Sequence, residues 1–590
     1  MTNFTWLLSD FRMIPGGRIM TGAGNPRGVT LANCYVLASP QDSIEGIFQT
    51  AHEMAETYKR GGGCGFDIST LRPNGTLTRN AALTSSGAVS FMHLFSTVTG
   101  TIGQLGRRGA LMISIGDTHP DVLSFTRVKR DLTTVKFANI SVRLSDPFMK
   151  AVAQDDEWLL EYVNEPDRIH VQGVIKARQL WDEIITGATQ FAEPGVLFWD
   201  TVTRGSTSEY DGMHVVSTNP CSEIPQGANH NCTLANVNLA AFCEKAFTPQ
   251  ARIMIPELLR AVSFTVRFLD DVLDYNADRH ALSAQRAASL ASRRIGVGFT
   301  GLADLFIQLG LRYNSEDAVT LTDTLFREIK LAAYATSVSL AQEKGVFPAF
   351  SAEKHLASRF FAEFPEQLLD AIRSHGLRNV ALLTVPPVGS GAALAGVTSG
   401  IEPVFALQYV RRSESLSQGE FTVEHPLVTC YRAITHTTAT EPLPPAFLTA
   451  HEIDYRARIA IQAALQAHID MGISSTVNVP RDTTPETVAK IYHEAWEAGC
   501  KGITVYREGS RDGILLTKQE AATRQHAPGA KLATEINRLV GKILPANAKL
   551  STMPTEKELA QFAQAIDSVL KSGPAQLDLM PTDRPLRPRP

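Results

Sequence analysis

Along this chain, segments with helical periodicity alternate with short apolar runs, and that alternation limits the possible folds more than any other feature. Residues 44–60 place apolar side chains at 44, 47, 48, 51, 54, 55 and 58, which predicts a helix. GGGCGF (61–66) stops that helix and leads into a short strand. Helical patterns return at 88–102, 254–275, 280–310, 317–344 and 456–471. Apolar runs at 110–115, 380–386, 403–410 and 502–506 read as strands. Helices alternating with short apolar strands predict an α/β fold with buried, largely parallel strands. No solenoid or propeller repeat is present.

The bulk numbers exclude several classes. With 590 residues, 44% apolar and 20% charged, the chain has ample material for a core, so a disordered or fibrous protein is excluded. Length alone allows up to four domains. A net charge of −4 predicts no nucleic-acid partner. Cysteines stand at 34, 64, 221, 232, 243, 430 and 500 without any CxxC, so neither a disulfide scaffold nor a zinc ribbon is expected. The N-terminus carries no signal-peptide pattern. Residues 379–401 are uncharged, but Pro386, Pro387 and four glycines preclude a membrane helix. They read as a buried strand, a glycine-rich turn and a second element. The chain is therefore expected to be cytoplasmic, with no membrane partner. After Tyr506 the composition shifts. Residues 531–544 and a segment from Thr555 read as amphipathic helices, followed by the Pro/Arg-rich ending RPLRPRP.

Chemistry concentrates at Asn219-Pro220-Cys221-Ser222-Glu223. In an extended loop, alternate residues share a side, so Asn219, Cys221 and Glu223 can face one ligand. An amide, a thiol and a carboxylate together can bind a diol and move a hydrogen or a proton. The alternative is an ordinary polar loop around a structural cysteine. Cys232 lies near His230 and His214, but no tight ligand pair supports zinc. The segment 384–393 can offer backbone N–H groups to a phosphate, or simply cross the core. Gln104, Arg107 and Arg108 sit in a glycine-flanked loop that can contact a nucleotide or form a solvated face. P-loop, HExxH, GxSxG and EF-hand patterns are absent.

Ten segments, in order, resemble one family: PGGRI (15–19), NCYVL (33–37), DSIEGIF (42–48), GGGCGF (61–66), SSGAVSF (85–91), GRRGA (106–110), NPCSE (219–223), RRIGVGFTGLAD (293–304), SGIEPVFA (399–406) and GCKGITVYREGSR (499–511). They resemble the catalytic subunit of ribonucleotide reductases, of the adenosylcobalamin-dependent class II type. The resemblance implies a ten-stranded α/β barrel with a central finger loop over residues 1–511, and a small helical C-terminal extension over 512–590. It implies that Cys221 carries a thiyl radical, that Glu223 is the general base, and that Asn219 binds the ribose hydroxyls. Cys34 and Cys232 would be the reducing pair. Ser85, Ser86, Pro387, Gly389 and Ser390 would bind the ribonucleotide substrate. Gln104, Arg107 and Arg108 would belong to the loop that senses a dNTP allosteric effector at a homodimer interface. Cys64, Cys243, Cys430 and Cys500 read as buried structural thiols.

Class II is implied because Tyr506 stands alone where class I chains stack tyrosines, and because no glycyl-radical motif occurs. Adenosylcobalamin is then the expected cofactor. Three departures stand out. Val388 and Ala392 replace the hydroxyl residues usual in the phosphate loop. The N-terminal helical region is expected to be abbreviated or absent, without an ATP-cone-like segment. No cysteine follows Cys500, so re-reduction is expected from a thioredoxin-like reductant or a separate partner chain. Two alternatives remain open: a class I-type subunit with a separate radical generator, and a non-catalytic nucleotide-binding relative.

Overall fold

The structure, a computed structural model, describes residues 2–78, 81–104, 107–131, 133–412 and 420–510. The chain divides into two units, Met1–Thr517 and Lys518–Pro590. The helices expected after residue 530 and the Pro/Arg-rich ending lie outside the described residues.

Ten strands form one mixed sheet: β1 (Met13–Pro15), β2 (Cys34–Val36), β3 (Gly63–Asp67), β4 (Leu111–Gly116), β5 (Asn139–Leu144), β6 (Gly195–Phe198), β7 (Asn231–Asn238), β8 (Ile295–Thr300), β9 (Thr476–Val479) and β10 (Gly502–Arg507). Strands β2 to β6 run mutually parallel in sequence order. β7 is parallel to β8, and β9 to β10. The two sets meet at antiparallel junctions, β2 with β7 and β6 with β10, while β1 adds antiparallel to β7. Parallel bridges Val297↔Leu383 and Val385↔Ile473 continue hydrogen bonding from β8, through 381–385, to the residues just ahead of β9. The strands are thus largely parallel, as expected.

Side-chain size alternates along these strands and separates the two faces. On β8, Ile295, Val297 and Phe299 enter the apolar core, while Gly296 and Gly298 fall between them. On β4 the core residues are Leu111, Ile113 and Ile115, and on β5 they are Ile140, Val142 and Leu144. Helices cover the core side. Helix Met92–Thr101 brings Phe95 against Phe66 at 4.9 Å, and helix Glu316–Lys344 brings Phe326 against Phe299 at 4.8 Å. Burying each such ring contributes about 1.5–3 kcal/mol. The other face carries small and polar residues because the chain itself occupies the space there. A Cβ on Gly65 would lie 2.0 Å from the carbonyl oxygen of Thr218.

Several helices match their expected bounds closely: Ile44–Lys59, capped by Ser43, Ile255–Asn276, and Glu316–Lys344, capped by Ser315. The pattern over 280–310 does not form one helix. It divides into helix Ser283–Ser292, strand β8 and helix Leu302–Gln308. Arg293 leaves the first helix with φ +47, and the alternation Ile-Gly-Val-Gly-Phe suits a strand packed on both faces. The 456–471 pattern ends as a helix at Gln466. In place of a strand over 403–410, Gln408–Arg412 pairs with Glu420–Glu424. Residues 379–401 follow expectation, with bridging residues 383 and 385, a turn, and the short helix Gly389–Ala395. No helix among the described residues is long and apolar enough to cross a membrane.

Candidate active site

A hairpin, Ser217–Thr218 paired with Pro225–Gln226, carries Asn219 to Glu223 at its tip. Partners on several strands hold it against the small-residue face. Ser217 Oγ meets Ser114 Oγ of β4 at 2.8 Å, and Asn139 Nδ2 of β5 donates to the Pro220 carbonyl at 2.8 Å. Gln226 Nε2 donates to the Cys34 carbonyl of β2 at 3.3 Å. From the other set, Thr384 Oγ1 and the Gly472 N–H both donate to the Glu223 carbonyl at 2.8 Å.

The tip is a turn rather than an extended loop. The Ser222 N–H donates to the Asn219 carbonyl at 3.0 Å, and Ser222 takes φ +68. The turn brings Asn219 and Glu223 into direct contact, with Asn219 Nδ2 donating to Glu223 Oε2 at 2.7 Å. The same amide donates to Cys34 Sγ at 3.2 Å. The Asn219 side-chain Oδ1 accepts from the Ile224 N–H at 2.8 Å, which fixes the amide's orientation. Cys34 and Cys232 stand directly opposite each other on antiparallel strands. Opposed residues there have Cα atoms about 4.5–5.5 Å apart, within the range a disulfide spans. Both are free thiols in this structure. The fold therefore brings Cys34, Asn219, Glu223 and Cys232 into one cluster, with Cys221 close enough to raise Cys34 and to be raised by Glu223.

Burial dominates the electrostatics. It pushes the Cys34, Cys221 and Cys232 thiols up, and the Glu223 carboxylate pushes each further. Burial also raises Glu223 to about 7, against the Asn219 hydrogen bond that favours its charged form. Cys221 is the exposed thiol of the three, although the protein packed around it still raises it by desolvation. These thiols therefore hold their hydrogens. That is the wrong state for a nucleophile, which needs thiolate, and the right one for giving up a hydrogen atom.

The remaining expected residues lie in other places. Pro387, Gly389 and Ser390 are exposed just beyond Val385, at the start of helix Gly389–Ala395. The Val388 N–H donates to Ser399 Oγ at 2.8 Å. Ser85 and Ser86 do not join the cysteines. They line a separate cavity of about 540 Å³ with Asp42, Arg72, Phe91 and Asp167. Gln104, Arg107 and Arg108 lie on the two strands of a short hairpin, and their side chains are outside the described ones. Cys64 and Cys500 are buried as expected, but Cys243 is half-buried and Cys430 exposed. Cys430 lies on the outer surface of helix Pro426–Thr435, where only Leu427 and Val428 are buried. His214 bonds Glu209 at the surface while His230 is buried, and no metal-holding group of His, Cys, Asp or Glu occurs among the described residues.

Sequence reading missed two residues at this cluster. Thr384 anchors the Glu223 backbone, and Arg294 is buried beside Cys232. The available signal was a charged pair, Arg293-Arg294, directly before an alternating apolar–glycine strand.

The chain matches the family described as ribonucleotide reductase, barrel domain, over residues 32–506. It is 34% identical over 534 residues to a vitamin B12-dependent ribonucleoside-diphosphate reductase of Mycobacterium tuberculosis, covering 87% of this chain and 73% of that one. A protein of the same description from Thermoplasma acidophilum is 33% identical over 545 residues, covering 89% and 67%. The ribonucleoside-diphosphate reductase large subunit of Vaccinia virus is 26% identical over 551 residues, covering 84% and 70%. A family match across most of the described fold, with the hairpin, Cys34 and Cys232 inside it, shows that the chain belongs to the ribonucleotide reductase barrel-domain family.

Proposed function

We propose that this chain is a class II enzyme that reduces ribonucleoside diphosphates to 2′-deoxyribonucleotides, with adenosylcobalamin as radical initiator. The observation that carries the reading is one cluster of three protonated thiols, two buried and Cys221 exposed, with an oriented amide and a carboxyl group that titrates near neutrality. The vitamin B12-dependent relatives support the choice of cofactor over a class I partner subunit. We read the two parallel strand sets and the bridges at 383 and 385 as the ten-stranded barrel, with the Cys221 hairpin as its finger.

Each residue has a defined task. The Cys221 thiyl takes the ribose 3′ hydrogen and returns it at the end. Asn219 holds the ribose hydroxyls. Glu223 accepts the 3′-hydroxyl proton, and the 2′-hydroxyl leaves as water. Cys34 and Cys232 together supply two electrons and two protons, closing into one disulfide per turnover. Enclosure within the sheet keeps the radical from water. The cofactor, when bound, supplies the carbon radical that takes the hydrogen from Cys221. Cys221 is the exposed thiol of the three, so a bound initiator would have access to its Sγ; the small space of about 20 Å³ beside it is lined by a mixture that includes Ser141, Gly472 and Thr504 together with Leu197, Ile473 and Lys501.

Gly389 and Ser390 would meet the substrate phosphates through backbone N–H groups and the Ser390 hydroxyl, while Pro387, which has no N–H to give, would shape the loop ahead of them. The 540 Å³ cavity with Ser85, Ser86 and Arg72 is large enough for a second nucleotide, so those serines suit a dNTP effector better than the reacting ribose. A homodimer, a dithiol reductant from outside the chain and a cytoplasmic setting complete the proposal.

The test is turnover with adenosylcobalamin and a dithiol. Glu223 must be ionised to accept a proton, so the rate of the chemical step rises with pH through about 7. The rise vanishes in Glu223→Gln, with a loss of about 10²–10⁴-fold. Stability runs the other way. The folded carboxyl binds its proton more tightly than the unfolded one, so its contribution is full below the unfolded value near 4.5 and is lost as pH rises through about 7. Equal turnover without the cofactor would sink this reading.

A further inference from the structure

Arg294 is a buried guanidinium with no carboxylate within salt-bridge distance among the described residues. Its Nη2 donates to Ser208 Oγ at 3.0 Å, and its Nε has no hydrogen-bond partner there. An unpaired buried cation costs several kcal/mol. Its neighbour Arg293, by contrast, is paired with Asp270 and Asp274, both at 2.7 Å. The sheet register places Arg294 beside Cys232. Thr233 pairs with Ile295 on parallel strands, so Cys232 and Arg294 are the next residues back on each. They also share a face. A Cβ on Gly296, two residues beyond Arg294, would come within 2.8 Å of Cys232 Sγ. Arg294 is the favourable charge acting on Cys232, opposed by Glu223 and Asp470. Asp470 is itself occupied by Tyr334 and by the Leu382 and Leu383 N–H groups.

We propose that Arg294 is a positioning residue that holds the negative charge on Cys232 when the Cys34–Cys232 disulfide is opened, and so sets the rate at which the site is recharged. The inference rests on the proposed reading of these two thiols as a redox pair. A thiolate of an external dithiol attacks Cys34 Sγ, and the Cys34–Cys232 bond breaks. Cys232 departs with the electron pair as a thiolate facing Arg294. The second thiol of the reductant attacks the mixed disulfide and releases Cys34. The dithiol is oxidised to a disulfide, and its two protons end on Cys34 and Cys232. Attack at Cys34 leaves the sulfur beside the cation as the leaving group, and a stabilised thiolate leaves faster. At Cys34 the nearby groups are Glu223, the other two thiols and the neutral Asn219 amide, with no cation among them.

The experiment is re-reduction of the full chain after chemical oxidation of the pair, with dithiothreitol as reductant and the free thiols counted over time. It needs no ribonucleotide turnover, so it stands apart from the test of the reductase reading. Arg294→Gln is expected to slow re-reduction about tenfold. Arg294→Lys should restore most of the rate, because it keeps the charge. Equal rates in wild type and Arg294→Gln would overturn the proposal. So would an equal loss in Arg294→Lys and Arg294→Gln, since that pattern marks a shape effect rather than charge. A chain in which Cys34 and Cys232 form no disulfide at all would overturn both this proposal and the redox reading beneath it.

Discussion

Cys221→Ala is expected to abolish deoxyribonucleotide formation, a loss of about a thousandfold or more, while leaving the fold intact. No other thiol is placed to replace it. Cys34 and Cys232 face each other across β2 and β7, and the proposed mechanism needs both of them as the reducing pair. Cys64 and Cys500 are sealed in the core beneath the sheet. A missing nucleophile can leave residual catalysis through binding alone, but a hydrogen-abstraction step without its radical carrier leaves none. Stability should change by only about 0.5 kcal/mol, because Cys221 sits exposed in the turn at the hairpin tip. The measurement pairs an activity assay with a denaturation midpoint, and Cys430→Ser serves as the exposed-thiol control. Activity retained in Cys221→Ala would remove the hairpin from the mechanism.

The largest stability loss is expected from Asp270→Ala. Asp270 is fully buried on helix Ile255–Asn276 and accepts from Arg293 Nε at 2.9 Å and Nη2 at 2.7 Å. Arg378 Nε and Asn379 Nδ2 add further bonds, each at 3.3 Å. Truncation leaves buried donors facing an empty site. Removing one partner of such a pair costs about 3–5 kcal/mol. Arg293 retains Asp274, which places the loss toward the lower end. The change also reaches the active site. Arg293 ends one helix with its backbone at φ +47, and Arg294 and β8 follow directly. A chemical denaturation curve should show the midpoint falling, with Asp270→Asn falling less. An unchanged midpoint would mean that this network does not hold the helix to the sheet.

Which parts of this fold could be read from sequence follows from the range of the interactions involved. The helices 44–59, 255–276 and 316–344 were legible because each packs one apolar stripe onto the sheet, and that stripe repeats locally. β8 was not. Its residues Ile295–Thr300 lie between two real helices, and a short run with apolar residues on one face and glycine on the other fits either period. Its glycines answer to the neighbouring segments, since a Cβ on Gly296 would meet Leu234 and Cys232 Sγ, and one on Gly298 would meet Asn236 and Pro386. Asn219, Cys221 and Glu223 were legible as a local group, but their geometry comes from a turn closed by Ser222. The pairing of Cys34 with Cys232 depends on the register between β2 and β7, which no local pattern encodes. Arg294 was hidden for the same reason, since its partner lies on a neighbouring strand.

The most direct test of the central claim is a single turnover without reductant. The fully reduced chain is mixed with a ribonucleoside diphosphate and adenosylcobalamin, quenched, and analysed for product and for disulfide by peptide mapping. The account predicts one deoxyribonucleotide per active chain, formed together with one Cys34–Cys232 disulfide, and neither when the cofactor is omitted. Product formed while Cys34 and Cys232 stay reduced, or a disulfide through other cysteines, would contradict it.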